Sequence, residues 1–337
     1  MERRGNLEFP QAKSFKSVRY EKAGRIATIT LNRPNRLNAI DLSLPSDLRK
    51  AVKIADLDDD VHVIILQGAG RAFCAGYDLK EFAEKCEFRR HKAFMLIIDI
   101  GVLLTRGLID TSAVQPSGKK VVRGKDPTID YRMMMANTED FMSLWRCTKP
   151  TIAKIHGFAV AGGSDIALCC DLVIMAENAK IGYPPARIWG IPTTMQWINR
   201  LGPEKAKRML FTGDLVTGKQ AKDMGLILDC VPAEKLDETV LSLANRIAAV
   251  PRNQLHMSKM VVNSIVEQNG LRYAQQMATF FDGFARNAPE GQYFQKVAAT
   301  KGFHAAVAER DGGKNIAEGE SESSYFFEDF TDLLSKL

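Results

Sequence analysis

The sequence predicts an α/β protein, a mainly parallel sheet flanked by helices, because strand-like and helix-like segments alternate along it. RIATITLN (residues 25–32) and VHVIILQG (residues 61–68) are rich in β-branched residues and closed by turn formers. Between them, DLSLPSDLRKAVKIADLDD sets Leu, Ala and Ile at helical spacing. The pattern recurs: TIAKIHGFAV (residues 151–160) and DLVIMA (residues 171–176) read as strands, with a short helix after Gly163 between them.

Beyond Pro203 the chain turns helical. PEKAKRMLFTG, KLDETVLSLANRIAAVP and RNQLHMSKMVVNSIVEQ each place apolar residues three and four apart. Residues 85–146 interrupt the alternation and read as an insertion, with TSAVQPSGKKVVRGKDPTIDY as an exposed, basic loop. ERDGGKNIAEGESESS (residues 309–324) reads as a linker to the final YFFEDFTDLLSKL. No fixed-period repeat is present.

Composition bounds the function classes. The 337 residues, 45% of them hydrophobic, are enough for one large domain, or one domain and an appendage. A net charge of +6 with 26% charged residues suits an anionic ligand such as a nucleotide, but no nucleic-acid-reading motif accompanies it. Cys74, Cys86, Cys147, Cys169, Cys170 and Cys230 show no CxxC spacing, which predicts buried thiols and argues against a disulfide frame or a zinc site. The longest apolar run, AFMLIIDIGVLL (residues 93–104), is too short to span a bilayer and reads as a buried helix. MERRGNLEF has no apolar signal region, and Ser335-Lys336-Leu337 has the form of a peroxisomal address, to be read so in a eukaryotic protein and as cytoplasmic otherwise.

Chemistry concentrates in HGFAVAGGSDIALCCD (residues 156–171), where a strand gives way to small residues, two glycines and an acid. Backbone N–H groups in the first turn of a helix lack partners and sit in a partial positive field. Gly162 projects no side chain, so a ligand oxygen gaining negative charge can rest against its N–H. Asp165 falls in the same turn, placed for proton transfer or water activation. Close helix packing and dipole compensation explain the same residues equally well. RAFCAGYDLKEF (residues 71–82) shifts that balance, because Ala75-Gly76 repeats the strand-to-helix turn after a neighbouring strand. Two such turns supply two amides to one oxygen.

LNRPNRLNAI, AFCAGYDLKEF, KPTIAKIHGFAVAGGSDIALCCDLVIMAENAKIGYPPARIWGIP and RLGPEKAKRMLFTGDLVTGKQAKDMGLILDCVP together resemble the crotonase superfamily, the enoyl-CoA hydratases and isomerases. The resemblance covers residues 15–264 apart from the insertion. It implies a spiral of ββα units, a helical C-terminal region (residues 265–337) that builds a trimer or hexamer, and an acyl-CoA thioester as substrate. No metal and no separate cofactor are implied, coenzyme A being part of the substrate. The oxyanion amides fall on Tyr77 and Gly162, with Asp165 as the acid. The lining of the coenzyme A site falls on Asn35, Arg36 and Leu37 and on Ala75, Gly76, Asp78, Leu79 and Lys80. Ala186 and Trp189 fall near the acyl chain.

One departure stands out. Hydratases of this family resemble two-carboxylate machines, and the second acid is expected after a proline in AKIGYPPARIWGIP, where Ala186 and Arg187 stand instead. Hydration of a 2-enoyl-CoA in fatty-acid β-oxidation is the first expectation, and double-bond isomerisation, which one acid can perform, is the alternative. A catalytically weak acyl-CoA-binding or RNA-associating oligomer is the reading from another class. Asp130, Glu139 and Asp140 are the acids available to replace the missing one. Tyr183 is a candidate proton donor, although an aromatic before two prolines more often serves packing. His156 is expected as a structural hydrogen-bonder.

Overall fold

The segment expected as one strand over residues 151–160 breaks at His156-Gly157, and the break organises the fold. Gly157 takes φ +60°, and a Cβ there would fall 2.1 Å from the Arg71 carbonyl oxygen, so only glycine lets the chain leave one sheet and enter another. The computed structural model describes residues 15–84 and 127–312.

The first half contains β1 (Val18–Ala23), β2 (Ile26–Leu31), α1 (Leu44–Leu57) and β3 (Val63–Gly68). After residue 126 come α2 (Pro127–Phe141), α3 (Ser143–Arg146), β4 (Thr151–Ile155), β5 (Phe158–Val160), α4 (Gly162–Leu168), β6 (Leu172–Ala176) and β7 (Lys180–Gly182). Then follow α5 (Gln196–Thr212), β8 (Leu215–Thr217), α6 (Gly218–Asp223), β9 (Asp229–Val231), α7 (Leu236–Ala248), α8 (Arg252–Gln268), α9 (Leu271–Asn287), α10 (Pro289–Lys301) and α11 (Phe303–Asp311). A six-stranded sheet runs β1-β2-β3-β4-β6-β9, and a three-stranded sheet runs β5-β7-β8. Only β1 is antiparallel in the large sheet, and β8 in the small one. Thus β4-β5-α4 and β6-β7-α5 are two successive ββα turns, each giving one strand to each sheet.

The large sheet is covered on its faces, so β2 is buried along nearly its whole length and β3 over its apolar run VIIL. Helix α1 buries Leu44, Leu48, Ala51, Val52 and Ala55 into the same core; each leucine buried there stabilises the fold by about 1.5–3 kcal/mol. Strand β1 (VRYEKA) lies at the edge with mostly exposed, charged side chains, which is why its sequence gives no strand pattern.

Two expectations need correction. Residues 127–146 belong to the core: Phe141, Met142, Leu144 and Trp145 of α2, α3 and the link between them are buried in the main cluster. Pro127 to Tyr131 open α2 and are not loop. The remainder of the expected insertion, including residues 93–104, lies outside the described residues, as do Ser335–Leu337 and most of the expected linker. The boundary after residue 264 falls inside α8, so the C-terminal region continues from the core as helix. Helices α10 and α11 then close on it through a second apolar cluster, in which Phe294, Val297, Phe303 and Val307 meet Ala83, Val160 and Ile188.

Helix α9 is locked to α2 by a buried ionic group. Arg286 donates to Asp282 one turn earlier and, at 2.5 Å, to Asp130. Removing the cation strands two carboxylates, one of them only 2% exposed. Arg286→Ala is expected to cost about 3–5 kcal/mol, read from the urea midpoint at constant slope.

Candidate active site

Two strand-to-helix turns meet at the centre of the molecule. After β3, Cys74 bridges to Ala159, its N–H donating to Phe158 O (2.9 Å) and its carbonyl accepting from Val160 N–H (3.0 Å). Three residues on, Tyr77 bridges to Ile40 through Ile40 N–H to Gly76 O (2.7 Å) and Asp78 N–H to Ile40 O (3.0 Å). A parallel bridge uses the flanking amide and carbonyl, so the N–H of Tyr77 itself faces the other way. Gly76 has φ +90°, and a Cβ there would lie 2.8 Å from Ala161 Cβ and 2.9 Å from Val160 O. The turn therefore rests directly on the residue that opens α4.

Ala161 holds φ 54°, ψ −127°, a conformation that costs a non-glycine residue about 1–3 kcal/mol. It is fixed by its N–H to Gly182 O (2.9 Å) and by its carbonyl, which accepts from Ser164 and Asp165 N–H (2.9 and 3.2 Å). Gly162 follows as the first helical residue, without an intrahelical acceptor for its N–H. A Cβ on Gly162 would strike Ile40 Cδ1 at 2.7 Å and the Tyr77 ring at 3.1 Å. Among the described residues neither the Tyr77 nor the Gly162 N–H has a backbone acceptor.

Asp165 is 3% exposed and accepts a hydrogen bond from Thr194 Oγ1 at Oδ1 (2.7 Å). Its Oδ2 has no partner among the described residues. Burial pushes its carboxyl well above the ordinary 3.8, the Thr194 hydrogen bond opposes this, and the negative charge of Asp282 adds to it. Thr194 is held in turn by Gln275 of α9, whose Nε2 donates to Thr194 O (3.1 Å). Arg200 clamps the other end of α4, donating to Leu168 O (3.0 Å) and Cys170 O.

The loop from Tyr183 to Met195 carries no carboxylate. Arg187 turns from the site to Asp311 (3.1 Å) and Thr212 O (2.6 Å), so Ala186 and Arg187 form a structural corner. The acids of residues 127–146 are engaged elsewhere: Asp130 with Arg286, Glu139 with Arg146, Asp140 with Arg49. A buried acid does stand close by, and sequence reading missed it. Asp282 accepts from Ile191 N–H (2.9 Å), and its charge acts on Asp165, Tyr77 and Tyr183. The signal was Asp282 and Arg286 four residues apart within the apolar period of TFFDGFARN.

The residues expected to line the ligand fall into two groups. Asn35 and Arg36 occupy a tight turn, Pro34–Arg36, and Leu37 O accepts from Ala75 N–H (3.0 Å), so the segments 35–37 and 75–80 run side by side. Asn35 and Lys80 are exposed, Arg36 is half-buried, and Leu37 is fully buried. Asp78 is buried and paired with Arg33 (3.1 Å), so its carboxylate ties the two segments together. Leu79 and Trp189 pack into the second cluster, the Trp189 ring 5.1 Å from Phe294. Ala186 lies in the turn Pro184–Ala186. His156 bonds Gly70 O (2.8 Å), and burial raises the Cys169 and Cys170 thiols beyond reach as nucleophiles. Among the described residues no group of three or more His, Cys, Asp or Glu side chains could hold a metal ion.

Two neighbouring turns thus each carry a backbone amide without a backbone acceptor, and the second also carries a buried carboxyl, the kind of groups that stabilising an oxyanion requires. The comparisons identify the family. Residues 120–296 and 26–97 match models described as enoyl-CoA hydratase/isomerase. The chain is 31% identical to a probable mitochondrial enoyl-CoA hydratase of Dictyostelium discoideum, over 79% of this chain and 83% of that one. It is 29% identical to a 2,3-dehydroadipyl-CoA hydratase of Escherichia coli, over 84% and 91%. A crystal structure of an enoyl-CoA hydratase from Mycobacterium smegmatis superposes with a TM-score of 0.75 at 42% identity, covering 92% of this chain and 97% of that one. The chain belongs to the enoyl-CoA hydratase/isomerase family, within the crotonase superfamily.

Gly76→Ala places a methyl against Ala161 at a positive φ and is expected to destabilise the fold by about 1–3 kcal/mol, visible as a lower urea midpoint. Asp165→Asn has the opposite sign. Because the folded carboxyl is raised, the stability of the neutral form is complete below pH 3.8 and is lost as pH rises through the raised value. Asparagine stays neutral, so its melting temperature should exceed that of wild type at pH 7, with the difference closing as the pH falls toward 4.

Proposed function

We propose that the protein is an enoyl-CoA hydratase that adds water across the double bond of a 2-enoyl-CoA in fatty-acid β-oxidation. The observation that supports the proposal is the close approach of the Gly76 and Ala161 turns, whose Tyr77 and Gly162 amides have no backbone acceptor among the described residues, with Asp165 buried in the turn that Gly162 opens. The thioester oxygen sits against these two N–H groups. As water attacks C3, charge moves onto that oxygen, and rigid donors stabilise it without reorganising; one such donor is worth about 10²–10³ in rate. Asp165 takes the water proton in its ionised form and returns it to C2, and a carboxyl raised toward neutrality suits both steps.

Coenzyme A runs along residues 35–37 and 75–80, its phosphates near Arg36 and Lys80, and enters as part of the substrate. Leu79, Ala186 and Trp189 border the acyl chain. The hydratase names of the relatives support hydration. A homotrimer is supported by an exposed apolar face on α8 and α9, where Met257, Met260, Val261, Ile265, Phe280 and Phe284 remain uncovered in the single chain. One observation favours a second reading, double-bond isomerisation: no carboxylate stands in Pro184–Ala186, and one acid suffices for a proton shuttle.

The test is turnover of 2-butenoyl-CoA and its 3-enoyl isomer, with products separated by chromatography. The wild type should form 3-hydroxybutanoyl-CoA, and Asp165→Ala should lose about 10²–10⁴ of that rate. Interconversion of the two enoyl forms without hydroxyacyl product would make the protein an isomerase.

A further inference from the structure

Tyr183 carries an oxygen that the fold does not use. The residue is 6% exposed, yet its hydroxyl has no hydrogen-bond partner among the described residues. The hydroxyl is not among the fully enclosed polar atoms that lack a partner, so the ring is packed while its oxygen reaches accessible space, and phenylalanine would fill the same packing without that oxygen.

The register explains where that oxygen lies. Val160 of β5 pairs with Gly182 of β7, and Ala161 N–H donates to Gly182 O at 2.9 Å. Tyr183, the next residue, therefore stands beside the opening of α4, from which Asp165 presents an Oδ2 that is equally free. On the other side, a Cβ on Gly190 would fall 3.5 Å from the Tyr183 hydroxyl and 3.4 Å from Asp282 Oδ1. Gly190 has no left-handed φ to require glycine; a Cβ there would also meet Pro185 Cβ at 3.0 Å, so the glycine lets the phenol, Asp282 and Pro185 gather closely around one point. Burial first, then the charges of Asp165 and Asp282, hold the phenol far above its ordinary value, so the group stays a neutral hydroxyl.

Resting on the hydratase reading, we propose that the Tyr183 hydroxyl is the second polar contact for the attacking water, holding it against Asp165 Oδ2 where Pro184–Ala186 supply no carboxylate. The water gives one proton to Asp165 as its oxygen bonds to C3. The C2=C3 pair shifts toward the thioester oxygen. The water's other O–H donates to the Tyr183 oxygen, which keeps its own proton throughout. Asp165 then delivers the proton it took to C2, and both groups end as they began. Tyr183 is a positioning residue that acts through the water.

The test is hydration of 2-butenoyl-CoA by wild type, Tyr183→Phe and Gly190→Ala, with melting temperatures. Misplacing a reacting group by about 1 Å costs about 100-fold. Tyr183→Phe should therefore lower kcat by about that factor, leave KM within about threefold, and melt at or above the wild-type temperature. A structural role would not give that split. A kcat within threefold of wild type, or a loss confined to KM, overturns the proposal while leaving the hydratase reading intact. A large loss in Gly190→Ala with none in Tyr183→Phe places the water in the Gly190 space and also overturns it. No hydration by the wild type defeats the hydratase reading, and this proposal with it.

Discussion

The contact between Gly76 and Ala161 is the constraint on which the site depends. Two chain segments about eighty residues apart in sequence approach so closely that a single methyl at Gly76 would collide with the other turn. Neither turn alone makes a site. The first presents Tyr77 N–H because its neighbours' amide and carbonyl are bound to Ile40, and the second presents Gly162 N–H because a helix begins there. In the proposed mechanism their meeting makes the two unpaired amides a preorganised pair. The strain at Ala161 is tolerated because strand β7 and the first turn of α4 both grip that residue.

The second layer of control comes from the C-terminal helices. Helix α9 holds the loop after β7 at two points, Gln275 to Thr194 O and Ile191 N–H to Asp282, and Thr194 in turn bonds Asp165. The carboxyl is thus fixed by residues remote in sequence, in surroundings that disfavour its charge. That arrangement costs stability and raises the Asp165 carboxyl well above the ordinary carboxylate range, as the proposed proton transfer asks of it. Arg286 keeps the same helix in register by neutralising Asp282 and Asp130.

Much of this was legible in the sequence because it is local. The β-branched runs gave β2, β3, β4 and β6, the Leu, Ala and Ile spacing gave α1, and paired small residues marked both turns. The break at Gly157 was not legible, since its cause is an approach of Arg71 from another part of the chain. Nor was the core membership of residues 127–146, whose weak amphipathic pattern sits behind a basic, loop-like run. The absence of an acid in the loop after β7 was visible, but what surrounds that gap was not. Asp282 is brought there by the return of α9, and Tyr183 is distinguished from a packing aromatic only by the unpaired state of its hydroxyl.

The central claim is that two backbone amides polarise one thioester oxygen. Difference infrared spectroscopy of a 2-enoyl-CoA labelled with ¹³C at the carbonyl, bound to Asp165→Asn so that turnover is blocked, measures that polarisation directly. The account predicts a carbonyl stretch moved to lower frequency in the complex relative to the ligand in water. A bound ligand whose carbonyl band stays at its solution frequency would contradict it.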